Sequence, residues 1–251
     1  MTAYTSTRVA AAYAFDRPHV HERLMDVIVE RLRIGPKLAR ALDIGSGAGL
    51  STAPLDRLAA RTIGLEPMVS MLTYSRVVAP RAVFVAGHAE RLPFGAASFD
   101  VVTAAGAINY ADRDLCLPEI ARVLTAAGAL VVYDFSVGRR LRDNAALERW
   151  HEAFERRFPS PPGYELDVRA LPFARAGLRL DSFEELAAAL PMDLASYVRY
   201  VMSEARIELA LSRGEAEHAI RDWCGQTLSP IFRDRTLDVI FDAYVAIVRR
   251  G

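Results

Sequence analysis

The stretch ALDIGSGAGL, residues 41–50, decides the fold predicted for this chain. A short apolar run ends in the carboxylate of Asp43, and Gly45, Gly47 and Gly49 then lead into a helix predicted at 50–60. This pattern is typical of a buried parallel strand that turns over into a helix. Glycine suits such a turn because it adopts positive φ and lets a ligand approach the backbone closely.

The spacing of the glycines distinguishes two classes of nucleotide ligand. In the dinucleotide pattern G-x-G-x-x-G the third glycine would fall at Leu50, whereas here it falls one residue earlier, at Gly49. The shorter loop leaves less room for a pyrophosphate and favours a ligand that has none. Glu66 directly follows the predicted second strand, about twenty residues beyond the loop, where a ribose-binding carboxylate is expected.

Taken together, these residues resemble the class I S-adenosylmethionine-dependent methyltransferases, whose leading motif is hhD-x-G-x-G-x-G. Further motifs follow in the family's order, as GHAERLPF at 87–94, SFDVV at 98–102 and EIARVL at 119–124. The resemblance implies an α/β fold with a Rossmann-like, seven-stranded, mostly parallel sheet. Its last strand would run antiparallel between the fifth and sixth strands, helices would cover both faces, and a helical lid would complete the molecule.

The resemblance also implies S-adenosylmethionine as cofactor and S-adenosylhomocysteine as product. Glu66 would accept both ribose hydroxyls, and Met68 would touch the adenine. His88 replaces the family's aspartate, so either its ring accepts a hydrogen bond from the adenine amino group or it points to solvent and the backbone of Ala89 reads the base. The predicted cofactor-binding residues are Asp43, Gly45, Ser46, Gly47, Gly49, Glu66, Pro67, Met68, His88, Ala89, Glu90 and Ala105.

Two segments supply candidates for contact with the methyl acceptor. The segment at 12–19 resembles the Tyr-Asp-x-x-Arg-Pro element that precedes the core in many relatives, which implies ligand contacts for Tyr13, Arg17 and His19. A packed helix with a polar face is the alternative interpretation of this segment. After the fourth predicted strand, Asn109 and Tyr110 occupy positions where relatives often carry His-Trp.

Tyr110 could position a nucleophile, act as a weak base or form an aromatic wall. Arg206, in the predicted lid, could pair with a substrate carboxylate, or it could form an ion pair with Glu204 or Glu208.

Composition limits the partners that this chain is expected to have. The 251 residues include 31 basic and 31 acidic side chains, and no basic stripe stands out, which argues against nucleic acid and favours a small molecule. Cys116 and Cys224 lie far apart, so neither a disulfide framework nor a metal site is predicted. With no signal-peptide pattern or membrane-spanning run, we expect a cytoplasmic monomer or homodimer.

We expect three regions: N-terminal helices and a cofactor-binding core at 1–137, a lid insertion with the sixth strand at 138–235, and the returning last strand at 236–251. Within the lid insertion, helices are predicted at 193–211 and 215–228. The predicted function is in-line methyl transfer to a small-molecule acceptor, with a carboxylate or hydroxyl oxygen first and carbon or nitrogen next. Such a displacement depends on holding donor and acceptor in line, so no catalytic residue is assigned. The alternative is a non-catalytic regulatory module that binds S-adenosylmethionine.

Overall fold

The computed structural model describes residues 7–32, 37–160 and 166–251, and over these ranges it forms one eight-stranded sheet flanked by helices. The strands are β1 (Leu38–Ile44), β2 (Ala59–Glu66), β3 (Val83–Ala86), β4 (Phe99–Ala105), β5 (Leu124–Phe135), β6 (Arg140–Leu141), β7 (Leu178–Met192) and β8 (Leu237–Arg250). The α-helices are α1 (Thr7–Phe15), α2 (Val20–Leu32), α3 (Ser75–Val78), α4 (Arg113–Val123), α5 (Ala146–Arg157), α6 (Leu194–Met202), α7 (Ala205–Ser212) and α8 (Glu217–Phe232).

The sheet has the predicted topology. Its strand order is β3-β2-β1-β4-β5-β8-β6, with β7 also paired to β8. Strands β1 to β5 are parallel, and β8 runs antiparallel to both β5 and β7. The two-residue strand β6, which also pairs with β8, was not predicted. Because β1 lies between β2 and β4, the direction of strand addition changes there, and ligands of open α/β sheets bind at such a point.

Helices cover both faces of the sheet, as expected. On one face α2, α5, α6 and α8 enclose fully buried side chains such as Ile28, Phe154 and Phe232. On the other face α4 packs Cys116 and Ile120 against the strands. The two layers fix the strand ends from which the loops of the site extend.

The helix predicted at 50–60 is wrong. The chain forms a short 3-10 helix, Ala53–Arg57, and β2 already begins at Ala59. The side chains of Ser51 and Thr52 bond back to Asp43, and the amide of Leu38 donates to the carbonyl of Leu58, so the segment returns to the sheet after little more than one turn. No long helix therefore starts at the glycine loop to direct its N-terminus at a phosphate.

The predicted helix at 193–211 is divided into α6 and α7. Asp193 caps α6 by accepting a hydrogen bond from the amide of Ser196, and Ser203 and Glu204 separate the two helices. The division of the chain into three regions stays a prediction. No helix in the described ranges is both long and apolar enough to cross a membrane.

Candidate functional site

A cavity of about 290 Å³ lies at the carboxyl ends of β1, β2, β3 and β4. It is lined by every predicted cofactor residue except Asp43 and Gly49. The predicted residues that line the cavity are Gly45, Ser46, Gly47, Glu66, Pro67, Met68, His88, Ala89, Glu90 and Ala105. The sheet therefore brings together loops that are separated along the chain.

Asp43 lies beneath the loop instead of in the cavity. It is fully buried and accepts hydrogen bonds from the hydroxyls of Ser51 and Thr52 at 2.7 Å and from the hydroxyl of Thr103 at 2.8 Å. Burial raises the pKa of this carboxyl, and the three hydroxyl donors act in the opposite direction. Asp43 thus ties the end of β1 to β4 and to the chain that follows the glycines, and the structure assigns it a positioning role.

Glu66 lies at the edge of the cavity, at the end of β2. One carboxylate oxygen accepts from the amide of Gly47 at 3.0 Å and the other from the amide of Met68 at 2.8 Å. Burial raises the pKa of Glu66, while its bonds to Met68 and Gly47 lower it. The two backbone donors hold the carboxylate in one orientation, and its remaining lone pairs can accept from a ligand.

Two glycines explain the shape of the loop. Gly45 has a φ of +69°, and a Cβ added there would lie 2.4 Å from the Cβ of Ala107. Gly49 has a φ of +97°, and an added Cβ would approach the ring of Phe84 at 3.2 Å. Gly49 is therefore required for packing behind the loop, which explains why it does not line the cavity.

The donors and acceptors of this cavity fit S-adenosylmethionine. The hydroxyl of Ser46 is buried and has no hydrogen-bond partner among the described residues, so it can bond to a polar ligand group. The side chains of Met68 and Met71, together with Leu65, give the same cavity an apolar wall suited to a purine ring. Glu66 supplies the acceptor for ribose hydroxyls.

Helix α1 covers the cavity beside the glycine loop, where its Ala10 and Ala14 pack with Ala48 and Met71. Tyr13 of α1 lines the cavity, and α1 packs against the 3-10 helix Met71–Tyr74. Arg17, between α1 and α2, stacks over the ring of Tyr13 with its guanidinium 4.6 Å from the ring centroid and donates to the carbonyl of Ser203 at 3.3 Å. Arg17 therefore connects the N-terminal cover to the end of α6 and does not itself line the cavity.

Three other predicted acceptor contacts lie in different surroundings. Tyr110 lines the cavity and is 67% exposed. Asn109 lies beside the cavity, where its side chain bonds to Asp134. His19 points away from the cavity, with 68% of its side chain exposed and a ring nitrogen 3.5 Å from Glu22, so the prediction of a ligand contact for His19 is not supported by its position.

The prediction that Arg206 meets a substrate carboxylate is corrected by the structure. Its guanidinium is buried within the lid, where Nε donates to Glu204 at 2.9 Å and a second nitrogen donates to Glu155 at 3.3 Å. Burial raises the pKa of Glu204, and Arg206 opposes that shift. The sequence had left open a surface ion pair with Glu204 or Glu208; the pair with Glu204 forms, but it is buried.

His21 was missed by the sequence interpretation although it lines the cavity. Its Nδ1 lies 3.2 Å from the hydroxyl oxygen of Tyr133, and its ring contacts Phe135 edge-on with 5.1 Å between centroids. His21 is separated from Tyr133 by 112 positions. The nearest sequence signal was the helical segment with its polar face, which does not say that α2 crosses the ends of β4 and β5.

A family model described as a methyltransferase domain matches residues 42–132, which is the part of the chain that carries the glycine loop and the first five strands. This part of the chain is therefore similar to methyltransferase domains. Over 106 residues it is 40% identical to a demethylmenaquinone methyltransferase from Mycobacterium tuberculosis, and the match covers 42% of this chain and 44% of that protein. The chain thus spans less than half the length of that curated relative.

Solved structures share the fold of the methyltransferase domain and of the segments around it. A protein from Anaeromyxobacter dehalogenans, described as a type II methyltransferase, has a TM-score of 0.71 at 19% identity, with 93% of this chain and 96% of that chain covered. The cyclase SpnF has a TM-score of 0.55 at 18% identity, covering 92% of this chain and 85% of that chain. Tyr13 and His21 lie outside the matched domain, so the cover over the cavity comes from other parts of the chain.

Proposed function

We propose that this chain is an S-adenosylmethionine-dependent methyltransferase that acts on a small molecule. The observation that carries the proposal is the arrangement of Glu66 and the glycine loop. The amide of Gly47 fixes the carboxylate at the edge of a cavity that also holds the buried hydroxyl of Ser46. A carboxylate set beside glycine backbone, with no long helix behind the loop, suits a nucleoside better than a dinucleotide.

The residues that would hold S-adenosylmethionine are Glu66 for the ribose, Met68 and Met71 for the adenine, and the segment from Gly45 to Gly47 for the amino-acid end. When bound, S-adenosylmethionine supplies an activated methyl group on a sulfonium. Ala105 and Ala107, at the end of β4, keep the adjoining space open because their side chains are small. An acceptor could lie there in line with the methyl group.

Water is kept from that space by the N-terminal helices. Tyr13 from α1 and His21 from α2 both line the cavity. Excluding water favours the acceptor over hydrolysis and strengthens polar contacts inside the site. The N-terminal helices would thus contribute to the reaction by excluding water, and no dedicated general base is required.

Two observations bear on the acceptor. The curated relative from Mycobacterium tuberculosis is called a demethylmenaquinone methyltransferase, which is consistent with a small-molecule acceptor. Arg206, the candidate cation for a carboxylate, is buried in ion pairs with Glu204 and Glu155. We therefore place a hydroxyl-bearing acceptor ahead of a carboxylate.

The alternative is a module that binds S-adenosylmethionine without turnover. The exposed side chain of His88, at a position where the resembling family carries an aspartate, is the observation that supports this alternative.

The two functions are separated by incubating the protein with methyl-labelled S-adenosylmethionine and a small-molecule extract of the source cells. Label recovered in a small molecule, together with stoichiometric S-adenosylhomocysteine, is the result expected for a methyltransferase. Tight binding of S-adenosylmethionine with no label in any small molecule would favour the regulatory module. A Gly47→Arg variant, in which the cavity is filled, controls for non-enzymatic transfer.

A further inference from the structure

The side chains that line the cavity carry charges of one sign. Its carboxylates are Glu66 and Glu90, and no arginine or lysine is among its described lining residues. No basic side chain among these lining residues would pair with an anionic acceptor, so its charge would be opposed only by the sulfonium of the cofactor, and burying a poorly paired charge is costly. The lining therefore favours a neutral acceptor.

We call the part of the cavity lined by Tyr13, His21, Ala105 and Ala107 the acceptor side. The ring of His21 is held there by contacts with two aromatic side chains. The hydroxyl of Tyr133 engages Nδ1 at 3.2 Å, and the ring of Phe135 lies edge-on at 5.1 Å between centroids. Nε2 is thus the nitrogen left for a ligand. On β5, Tyr133 is paired in register with Ala105 of β4, so His21 is fixed beside the residue that opens the space next to the cofactor loop.

We propose that His21 anchors a hydroxyl group of a neutral, largely apolar acceptor, and that Tyr133 positions its ring to do so. The inference rests on the function proposed above and narrows its substrate class. A hydroxyl can both donate and accept, so it bonds to Nε2 whichever ring nitrogen carries the proton. A carboxylate can bond only when Nε2 carries the proton, and it would also meet the two carboxylates of the cavity.

The ionisation of the pair agrees with this role. Burial, assisted by the nearby Arg17, lowers the pKa of His21 to about 3, so the imidazole is neutral under physiological conditions. Burial also raises the pKa of Tyr133 well above its ordinary value, so its hydroxyl keeps its proton. A neutral imidazole recognises a hydroxyl through a hydrogen bond and offers no positive charge to a carboxylate.

The test compares three probes with one apolar body: 4-propylphenol, propylbenzene and 4-propylbenzoate. Each is titrated into the protein saturated with S-adenosylhomocysteine and followed by saturation-transfer NMR. The wild-type protein should bind 4-propylphenol about three- to tenfold more tightly than propylbenzene, the range expected for one hydrogen bond. It should bind 4-propylbenzoate more weakly than propylbenzene.

His21→Phe should bring the affinities for 4-propylphenol and propylbenzene to within error of each other, whereas His21→Asn, which keeps a donor and an acceptor, should restore part of the preference. Tyr133→Phe should reduce the preference by leaving the ring unheld; a merely structural role would weaken all three probes equally. His218→Phe, on the exposed side of α8, is the matched control and should leave the preference unchanged.

Binding of S-adenosylhomocysteine, measured first by calorimetry on every variant, separates the two proposals. Failure of the wild-type protein to bind it would overturn the proposed function. Normal binding of S-adenosylhomocysteine would leave the proposed function intact. The role of His21 would then be overturned by any of three results: equal affinity for 4-propylphenol and propylbenzene, tightest binding of 4-propylbenzoate, or no binding of any probe.

Discussion

The cofactor side and the acceptor side of the cavity are built in different ways. On the cofactor side, polar contacts of the glycine loop join residues close in sequence: Glu66 accepts from an amide 19 positions away, and Asp43 accepts from a hydroxyl 8 positions away. The bond from Thr103 to Asp43, across 60 positions, joins neighbouring strands of the sheet. On the acceptor side, His21 meets a tyrosine 112 positions away and Arg17 meets a carbonyl 186 positions away. A local motif can specify the first side, whereas the second depends on how distant helices pack on the sheet.

The largest effect should come from Gly47→Arg on the cofactor side. Gly47 has a φ of +52°, and a Cβ there would lie 3.7 Å from the methyl group of Met71, so a long side chain would extend into the cavity. We expect no detectable heat on titration with S-adenosylmethionine, while the unfolding transition is retained.

Gly225→Arg provides the matched control, because an added Cβ meets nothing within 4 Å in α8. It should bind S-adenosylmethionine as the wild-type protein does. Retained binding by Gly47→Arg would mean that the ligand lies elsewhere and would break the distinction between the two sides.

Arg206→Ala probes the lid that lies behind the acceptor side. Removing one partner of the buried pair leaves the carboxylate of Glu204 without its cation, and we expect the free energy of unfolding to fall by about 3 kcal/mol. The dissociation constant of S-adenosylmethionine should stay within about twofold of the wild-type value, since Arg206 does not line the cavity. Denaturant titration and calorimetry measure the two quantities. Unchanged stability with lost acceptor affinity would restore the substrate-binding interpretation of Arg206.

Glu66→Ala should weaken binding of S-adenosylmethionine by about 1 to 3 kcal/mol, because the ribose hydroxyls lose their acceptor. Probes bound on the acceptor side of protein saturated with S-adenosylhomocysteine should be affected much less. Calorimetric titration of the variant measures the loss, and wild-type affinity would remove Glu66 from the cofactor site.

The smallest effect concerns pH. Burial raises the pKa of Glu66, so this carboxyl takes up a proton at a higher pH than an ordinary glutamate does. Because the ionised form is the better acceptor, affinity for S-adenosylmethionine should decrease as the pH is lowered from about 7 to about 5. The decrease should be smaller than the loss in Glu66→Ala, since a protonated carboxyl keeps one acceptor oxygen. Calorimetry across this range should show a flatter profile for Glu66→Gln; an equally steep one would assign the dependence to another group.

The sequence predicted the cofactor side of the cavity better than the acceptor side. The strand order and the cofactor loop could be predicted because glycine spacing, Asp43 and Glu66 are constrained by backbone geometry over short distances. The helix predicted after the loop was wrong because the hydroxyls of Ser51 and Thr52 bond to the buried carboxylate of Asp43 and hold this segment against the sheet. His21 could not be selected over His19, since His19 precedes α2 while His21 lies in its first turn, and only the packing of that turn against β5 brings one ring into the cavity.

The central claim is tested most directly by calorimetric titration of the wild-type protein with S-adenosylmethionine, S-adenosylhomocysteine and NADH in parallel. We expect the two sulfur compounds to bind at one site per chain and NADH to give no heat, because no long helix follows the glycine loop to receive a pyrophosphate. Binding of NADH, or the absence of heat from all three with a folded protein, would contradict the assignment of this cavity to S-adenosylmethionine.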